Sequence, residues 1–511
     1  RRHTRYISVT GVQTCALPIF NNGAGTNQYA GLIADIAATG RQVKTFAFDW
    51  RTDPVSAAQA LRQTILQIAP HQTLYTDVVA HDWAGLVVRA YAALYPTEAS
   101  RVRSVIYLGT PQLGAPKSFG LLQSWQGRTS ADVDSQLTQY LNFDAMNAAS
   151  RNFPSLYAML PRYSYFGAAG APLDSYSTTN TLLSNQVLVN QAGVAWGTAL
   201  NGPNSIALSS AINGTNHATT RGFVQSNGCV VPTIGIRGDG VVPSESATAL
   251  AGVSNYFVDS TSNGLPSNSF VRQSVVSLLQ GAVPAGVQSV PFVDPNHVVT
   301  TIYTCNPMKM RVTNPANYLT GRDASGNVKQ DIPESQYFNF PSNEAIVADG
   351  TDPLQVALTA SDYGFFTVGV AGSRGDVPTT TYAFAGMPMA NISKANFVYQ
   401  PAAPPSLALD LNGDGTVDFT IAANVPPPPA AVLTAASVSI DTFGLPSGTA
   451  NQLKNPLDSA VKAIGGGSVN NAQNSVNTFL QKVAAMRGKN LTNAQADILT
   501  AFGNRALQLL Q

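Results

Sequence analysis

The chain has 511 residues, of which 11% are charged and 44% hydrophobic, and its formal net charge is +1. This length exceeds what one hydrophobic core usually supports, so we expect about two to four domains. The balanced charge, without a long Lys/Arg cluster, excludes a nucleic-acid partner. No apolar run approaches the roughly 18 residues that a membrane-spanning helix needs, so the sequence predicts no transmembrane segment. The Ser-, Thr-, Asn- and Gly-rich polar residues indicate an exported bacterial protein.

The first residues do not have the pattern of a folded domain. Residues 9–19 match a translated sequencing adapter, so we interpret residues 1–19 as an assembly artifact; the alternative is a genuine N-terminal arm. If this interpretation is correct, we expect that any signal peptide, the first strand and one oxyanion loop are missing from the sequence. We therefore expect a secreted protein whose signal peptide lies outside this fragment.

Residues 20 to about 111 alternate between strand and helix patterns. The predicted helices span 28–39, 55–68 and 84–95, and apolar strands at 43–48 and 102–108 lie between them or after them. Alternating units of this length predict a parallel sheet with helices on both faces. From about 117 to 230 the alternation stops, and helical pieces rich in Leu, Phe, Tyr and Met predict a cap or, alternatively, a second structural subdomain.

Residues 76–91 predict a sharp strand-to-helix turn. Ala80 and Ala84 are the small residues that such a turn needs where strand and helix pack closely, and its apex is Asp82. This is the layout of a nucleophile elbow, G-x-S-x-G, in which the apex side chain is exposed on a strained backbone. The apex here is a carboxylate, which is already ionised at neutral pH.

Several motifs resemble those of secreted bacterial lipases related to lecithin:cholesterol acyltransferase. The matching residues are His81, Gly85, Leu86, Val87, Arg89, Ala90 and Tyr91 of the elbow, residues 49–51 (DWR), residues 109–116 (GTPQLGAP) and residues 153–161 (FPSLYAMLP). The resemblance implies an α/β-hydrolase core with a helical cap at about 117–230, acting on lipid or other carboxylic esters as a lipase, esterase or acyltransferase. It implies no cofactor for catalysis. Asp82 departs from the family's serine.

Two further residues complete the predicted site. Asp239 lies in Gly-Asp-Gly after a late strand near 233–236, and it resembles the family's acid in place and in motif. Triads of this fold follow the order nucleophile, acid, histidine, and His297 is the histidine that follows Asp239. We therefore predict that Asp82, Asp239 and His297 meet, with the backbone N–H of Trp83 as an oxyanion donor.

The apex carboxylate leaves three functions open. The first is a lipase-type hydrolase or acyltransferase whose chemistry is altered or lost. The second is an aspartate-nucleophile hydrolase, because His81, Asp82 and Trp83 also resemble the H-D-W of haloalkane dehalogenases and epoxide hydrolases. In the haloalkane dehalogenases the Trp indole helps to hold the halide. The third is a catalytically inactive lipid-binding homologue.

The cysteines fit an oxidising compartment. Apart from Cys15, only Cys229 and Cys305 are present. A cysteine pair in an exported protein is more often bridged than free, so we predict a disulfide between them; the alternative is two buried thiols.

The chain changes character after the hydrolase domain, which we predict at 20–307. Short β-prone runs at 308–424 predict a β-sandwich, which resembles the module that often follows these lipases and could serve in surface or polymer attachment. A Pro-rich linker at 425–432 and an α-helical module at 433–511 follow, and Thr492 and Gln495 fit a capping box for the last helix. The sandwich contains a predicted structural calcium loop, with oxygen ligands at Asp410, Asn412, Asp414, Thr416 and Asp418.

Overall fold

A computed structural model describes residues 6–10, 28–71, 73–124, 150–168, 171–172, 185–226, 229–305, 308–340, 343–401 and 403–511. The strands are β1 Tyr6–Thr10, β2 Gln42–Phe46, β3 Thr76–His81, β4 Val102–Leu108, β5 Phe166–Ala168, β6 Ala171–Pro172, β7 Leu208–Thr215, β8 Thr219–Ser226, β9 Cys229–Gly235, β10 Ser254–Asp259, β11 Val298–Cys305, β12 Met308–Thr313, β13 Leu319–Arg322, β14 Val328–Gln330, β15 Gln336–Phe340, β16 Asn343–Asp349, β17 Leu354–Ala360, β18 Gly364–Arg374, β19 Val377–Met389, β20 Lys394–Tyr399, β21 Ser406–Asp410 and β22 Phe419–Ala422. The α-helices are α1 Ala30–Ala38, α2 Pro54–Ile68, α3 Ala84–Leu94, α4 Pro96–Ala99, α5 Lys117–Ser124, α6 Pro154–Ala158, α7 Gln186–Ala195, α8 Ser244–Ala247, α9 Ser269–Leu279, α10 Pro429–Thr442, α11 Ser447–Gly465, α12 Val469–Met486 and α13 Asn493–Leu509.

The first domain, here called the core domain, is built on a six-stranded parallel sheet with the order β10-β7-β4-β3-β1-β2. Successive residues of a strand point to opposite faces. Val78 of β3 packs in the apolar cluster that contains residues of α2 and α3, whereas Val79 packs in the cluster that contains residues of α1 and α9. The predicted parallel sheet with helices on both faces is confirmed.

Two strands differ from the sequence prediction. β7 is a member of the parallel sheet, although it lies within the predicted cap. The sequence did not predict this strand because LSSAINGT is too polar to show a hydrophobic pattern. β9, which we expected to be a late strand of the core sheet, pairs antiparallel with β8 in a separate four-stranded sheet. The last core strand is instead β10, which is followed by α9.

The strand β1 belongs to the segment that we interpreted as an artifact. Residues 6–10 pair in parallel register with both β2 and β3 and thereby lie between them in the sheet. Strand pairing uses backbone groups, which any such sequence offers. The artifact interpretation of residues 1–19 therefore stays a prediction, and residues 11–27, which follow β1, lie outside the described residues.

A β-sandwich follows, as predicted, but it begins earlier and is joined to the core domain. The strand β11, on the hydrolase side of the predicted boundary at 307, is central in a five-stranded sheet, β15-β16-β11-β18-β19, beside a seven-stranded sheet. The five-stranded sheet is buried on both faces. Phe338 and Val347 belong to the apolar cluster of the core domain, whereas Tyr337 and Ile346 belong to that of the sandwich.

The C-terminal helices pack on the sandwich rather than extending from it. Pro429 of the predicted linker is the first residue of α10. Phe365 of β18 stacks against Phe502 of α13 with 5.2 Å between ring centroids, and the helices share one apolar cluster with the sandwich. The predicted capping box of Thr492 and Gln495 at α13 is confirmed. Within the described residues, no helix has both the length and the hydropathy to cross a membrane.

Candidate active site

The turn between β3 and α3 has the geometry of the predicted elbow. Asp82 has a φ of 51°, in the left-handed region that non-glycine residues rarely adopt. Its backbone N–H donates to Leu108 O at 2.8 Å, and its carbonyl accepts from Gly85 N at 3.0 Å. The half-buried Asp82 side chain therefore lies where β3 and β4 end, before the first turn of α3.

The elbow requires the glycine that follows it. A Cβ built on Gly85 would lie 2.1 Å from Thr110 Oγ1 and 2.7 Å from Thr110 Cβ, so any larger residue would displace the loop after β4. Ala80 and Ala84 are fully buried on either side of the turn. Small residues are needed here because the strand and helix are in close contact.

Asp239 lies at the same edge of the sheet. Its carboxylate is 2% exposed and accepts the backbone N–H groups of Val241 at 3.0 Å and Val242 at 2.7 Å. A Cβ built on Gly109, directly after β4, would lie 2.8 Å from Asp239 Oδ2. Burial raises the pKa of this carboxyl to about 6, although the two N–H groups and nearby positive charges oppose the shift.

His81 is held in one protonation state. Its Nε2 lies 2.8 Å from the carbonyl oxygen of Ser262, which can only accept, so Nε2 carries the proton. Its Nδ1 then accepts from the Tyr29 hydroxyl at 2.7 Å. Burial lowers the pKa of this imidazole to about 4, against the opposing effect of the Ser262 contact. Both ring nitrogens of His81 are thus used by structural hydrogen bonds.

The loop after β10 reaches this edge with no histidine. Ser262 donates its backbone N–H to Asp239 O at 2.8 Å while its carbonyl accepts from His81. Its buried hydroxyl has no hydrogen-bond partner within the described part of the chain. No motif in the sequence indicated this loop. The signal was the β-prone segment 256–258 before an amphipathic helix, which forms a further strand-helix unit.

His297 forms its hydrogen bond with an acid other than the predicted Asp239. Its Nε2 donates to Asp349 Oδ1 at 2.6 Å. The apolar stretch 287–293 before His297 is irregular and leads into β11 of the sandwich. The structure therefore brings together Asp82 and Asp239 at the carboxyl edge of the core sheet and pairs His297 with a different acid.

Trp83 precedes the first residue of α3. Its side chain is 2% exposed in the apolar cluster of the core domain. The indole Nε1–H has no acceptor within the described residues. A buried donor without a partner costs free energy unless a water or a ligand satisfies it.

The cysteine pairing follows the prediction. Cys229 of β9 and Cys305 of β11 form a disulfide with 5.6 Å between their Cα atoms. The bond joins the four-stranded sheet of the core domain to the five-stranded sheet of the sandwich.

The predicted calcium ligands form the turn between β21 and β22. Asp410 accepts the backbone N–H groups of Gly413 at 2.7 Å and Gly415 at 2.9 Å, and Asp414 and Asp418 also accept backbone N–H groups of the loop. The all-oxygen donor set fits a hard cation. No group of three or more His, Cys, Asp or Glu in the described segments is arranged to hold a metal, so calcium binding stays a prediction.

Comparison with known proteins agrees with this topology. Residues 23–219 match the family model of the alpha/beta hydrolase fold. The core domain has the α/β-hydrolase fold. No curated protein matches the chain.

Solved structures with some likeness include a lipase of Bacillus licheniformis, BlEst2 in mature form (12% identity, TM-score 0.34, covering 54% of this chain and 92% of that one). A gene product of Listeria innocua has 11% identity, a TM-score of 0.29 and coverages of 57% and 98%. A chain of the Tle4-Tli4 complex has 13% identity, a TM-score of 0.36 and coverages of 50% and 71%.

Proposed function

We propose that the chain is a lipase/esterase-type α/β hydrolase that binds carboxylic esters or lipids but has lost the acyl-enzyme reaction. One observation carries the proposal: the elbow is intact, yet its apex is Asp82 in place of a serine, and both His81 and the predicted base His297 form their hydrogen bonds with other groups. His81 is engaged with Tyr29 and Ser262, and His297 is engaged with Asp349.

The chemistry of ester cleavage explains why this arrangement favours binding without turnover. In a serine triad the histidine removes the proton of the hydroxyl and later returns it to the leaving group. A carboxylate needs no deprotonation, but its attack on an ester carbonyl would form a mixed anhydride, which is less stable than the ester itself. Without a positioned base, no group assists the formation of that intermediate or its hydrolysis by water.

Ester binding and ester turnover can be measured separately. We expect saturable binding of a medium-chain p-nitrophenyl ester to the full chain, with p-nitrophenol release no faster than in buffer. Asp82→Asn, which keeps the shape of the side chain, should retain the binding. Turnover by the unaltered chain that disappears in Asp82→Asn would refute the proposed loss of catalysis, and absence of binding would refute the ester-binding function.

A second candidate is favoured by the unpartnered indole N–H of Trp83. In reaction with a primary alkyl bromide, an Asp82 oxygen would form a bond to the saturated carbon while the carbon–bromine bond breaks. Bromide would leave with the electron pair, next to a donor such as Trp83 Nε1. Cleavage of the resulting alkyl ester needs an activated water, and the ring nitrogens of His81 and the Nε2 of His297 are already hydrogen-bonded to other groups. The expected outcome is one alkylation per chain.

Mass spectrometry distinguishes this candidate from the first. After incubation with 1-bromohexane, a single hexyl addition on the peptide that contains Asp82, absent in Asp82→Asn, would support it. Equal labelling of Asp53, a half-exposed carboxylate at the start of α2, would indicate non-specific alkylation. Bromide release beyond one equivalent would contradict the single addition.

We further propose that the protein is exported and that residues 410–418 bind calcium. A disulfide persists in oxidising compartments, which supports export. Asp410, Asn412, Asp414, Thr416 and Asp418 would supply oxygens to the ion, which would add rigidity to the turn between β21 and β22. Calorimetric titration of the full chain with calcium should give one saturable site that Asp414→Ala weakens; no heat in either protein would exclude the site.

A further inference from the structure

Five side chains of alternating charge type lie in a row between the core domain and the sandwich. In order they are Asp259, His217, Glu334, His297 and Asp349. His217 Nδ1 donates to Glu334 Oε2 at 3.0 Å, and His217 Nε2 faces Asp259 Oδ1 at 3.3 Å, an ion-pair contact rather than an aligned hydrogen bond. At the other end, His297 Nε2 donates to Asp349 Oδ1 at 2.6 Å. We call these five residues the histidine–carboxylate row.

The row crosses a domain boundary. His217 follows β7 and Asp259 ends β10, so both belong to the core domain. Glu334 precedes β15, His297 precedes β11 and Asp349 ends β16, so all three belong to the five-stranded sheet. Glu334 provides the link, because it is bonded to His217 and its charge also acts on His297.

The backbone on both sides of this link is in an unusual conformation. Glu334 has a φ of 57° and Asn216, next to His217, has a φ of 71°. Asn tolerates this region through its short polar side chain, whereas Glu adopts it only under backbone strain. Strain of this kind persists where the surroundings impose it and often marks a functional contact.

We propose that the histidine–carboxylate row is a pH-dependent lock between the core domain and the five-stranded sheet. The lock is closed in mildly acidic solution and loosens in alkaline solution. It is independent of the proposed ester binding, since none of its five residues takes part in that proposal.

The direction of the pH effect follows from the surrounding charges. Burial lowers the pKa of His217, whereas the hydrogen bond to Glu334 and the charges of Glu334, Asp259 and Asp239 raise it. The raising effects are larger together, so the net shift is upward from 6.5. The hydrogen bond to Asp349 raises the pKa of His297; its burial opposes this, and the charges of Asp349, Glu334 and Asp294 add to the rise. Groups with a raised pKa stabilise below their unfolded value and lose this contribution as pH rises through the folded one.

Glu334 sets the acidic limit of the lock. The hydrogen bond from His217 lowers its pKa below 4.5, although burial opposes the shift. Its contribution is therefore present above 4.5 and is lost as pH falls through the lowered value. The lock is strongest between the two unfolded values, 4.5 for the carboxyl and 6.5 for the imidazoles.

Contacts without titrating groups keep the domains together at any pH. Gln336 donates its Nε2–H to Ala218 O at 2.9 Å and accepts from Thr220 Oγ1 at 3.0 Å. The disulfide between Cys229 and Cys305 crosses the same boundary. Alkaline pH should therefore increase local opening around the row and leave the two domains joined.

Hydrogen exchange of the full chain tests the lock. Glu334→Gln keeps the size of the side chain and removes its charge. At pH 6 we expect exchange in peptides covering 214–220 and 330–338 to be about tenfold faster in this variant than in the unaltered chain, the order of magnitude expected for the loss of one hydrogen bond to a charged group. At pH 9 the ratio should approach one, because the imidazoles are then neutral in both proteins.

Two further variants keep the test decisive. His297→Gln removes the other half of the row at a side chain that is 15% exposed, and it should give the same loss of protection near 297 and 349 at pH 6. Asp441→Asn breaks an ion pair with Lys454 in the helical module and should leave these peptides unchanged. A ratio that is equal at both pH values, or no difference at pH 6, would overturn the proposal.

Discussion

The elbow after β3 and the loop after β10 lie at the same edge of the parallel sheet and are joined through the contact of His81 with Ser262, yet they differ in what defines them. The elbow is determined by neighbours in sequence, namely the small residues around a strained apex. The loop is defined by distant partners, since Ser262 contacts Asp239 and His81. The comparison teaches that the backbone geometry of a nucleophile elbow is present at this edge, although its apex is Asp82 and the loop after β10 carries no histidine.

The largest expected effect concerns the acid between these two regions. Asp239→Asn keeps an oxygen for the N–H groups of Val241 and Val242 and removes a buried charge. Because burial raises the pKa of Asp239 from 3.8 to about 6, its contribution to stability is present below 3.8 and is lost as pH rises through 6. The variant should gain about 3 kcal/mol relative to the unaltered chain at pH 8.

This gain should disappear near pH 4 in urea unfolding experiments at both pH values. Asp458→Asn, at an exposed position on α11, is the control and should show no pH-dependent difference. If Asp239→Asn were equally destabilising at pH 4 and pH 8, the buried charge would have a specific partner that offsets its burial.

The elbow itself can be broken at Gly85. Gly85→Ala places a methyl group against Thr110 and should lower the free energy of unfolding by about 1–3 kcal/mol. Gly448→Ala, in a helix where nothing lies within 4 Å of the new methyl group, should instead raise it by roughly 0.5–1 kcal/mol. Thermal unfolding of both variants measures the contrast, and equal effects would show that the elbow is not closely packed.

The loop after β10 should respond in the opposite way to the elbow. Ser262→Ala removes a buried hydroxyl without a partner in the described structure and should be neutral or stabilising by up to about 1 kcal/mol. Ser246→Ala is the matched control, because Ser246 Oγ donates to Gly114 O at 2.6 Å and accepts from Leu113 N at 3.0 Å. That control should be destabilised by about 1–3 kcal/mol. Destabilisation by Ser262→Ala would indicate a bound water or ligand at its hydroxyl.

The sequence predicted those parts whose cause is local. Helical spacing identified α2, spacing and a capping box identified α13, and the small residues around Asp82 identified the elbow. It did not identify β7, whose sequence is polar, or β10, whose β-prone segment 256–258 is short. His297 was assigned by its order in the chain, and only tertiary contacts reveal that its acid is Asp349.

The same reasoning explains the domain boundaries. The sequence changes from strand-helix alternation to β-prone runs near residue 308. The first strand of the sandwich, β11, begins earlier, at Val298. Both faces of its sheet are buried because Phe338 and Val347 pack against the core domain. The residue pattern of one strand cannot predict this contact between domains.

The most direct test of the central claim is ester hydrolysis by Asp82→Ser. This substitution restores the hydroxyl at an intact elbow, but it supplies no base. We predict that p-nitrophenyl ester cleavage stays at the buffer rate in Asp82→Ser and rises only when a histidine is also placed at position 262 or 263. Efficient turnover by Asp82→Ser alone, with a burst of p-nitrophenol from an acyl-enzyme, would contradict the account because it would require a functional base already at the site.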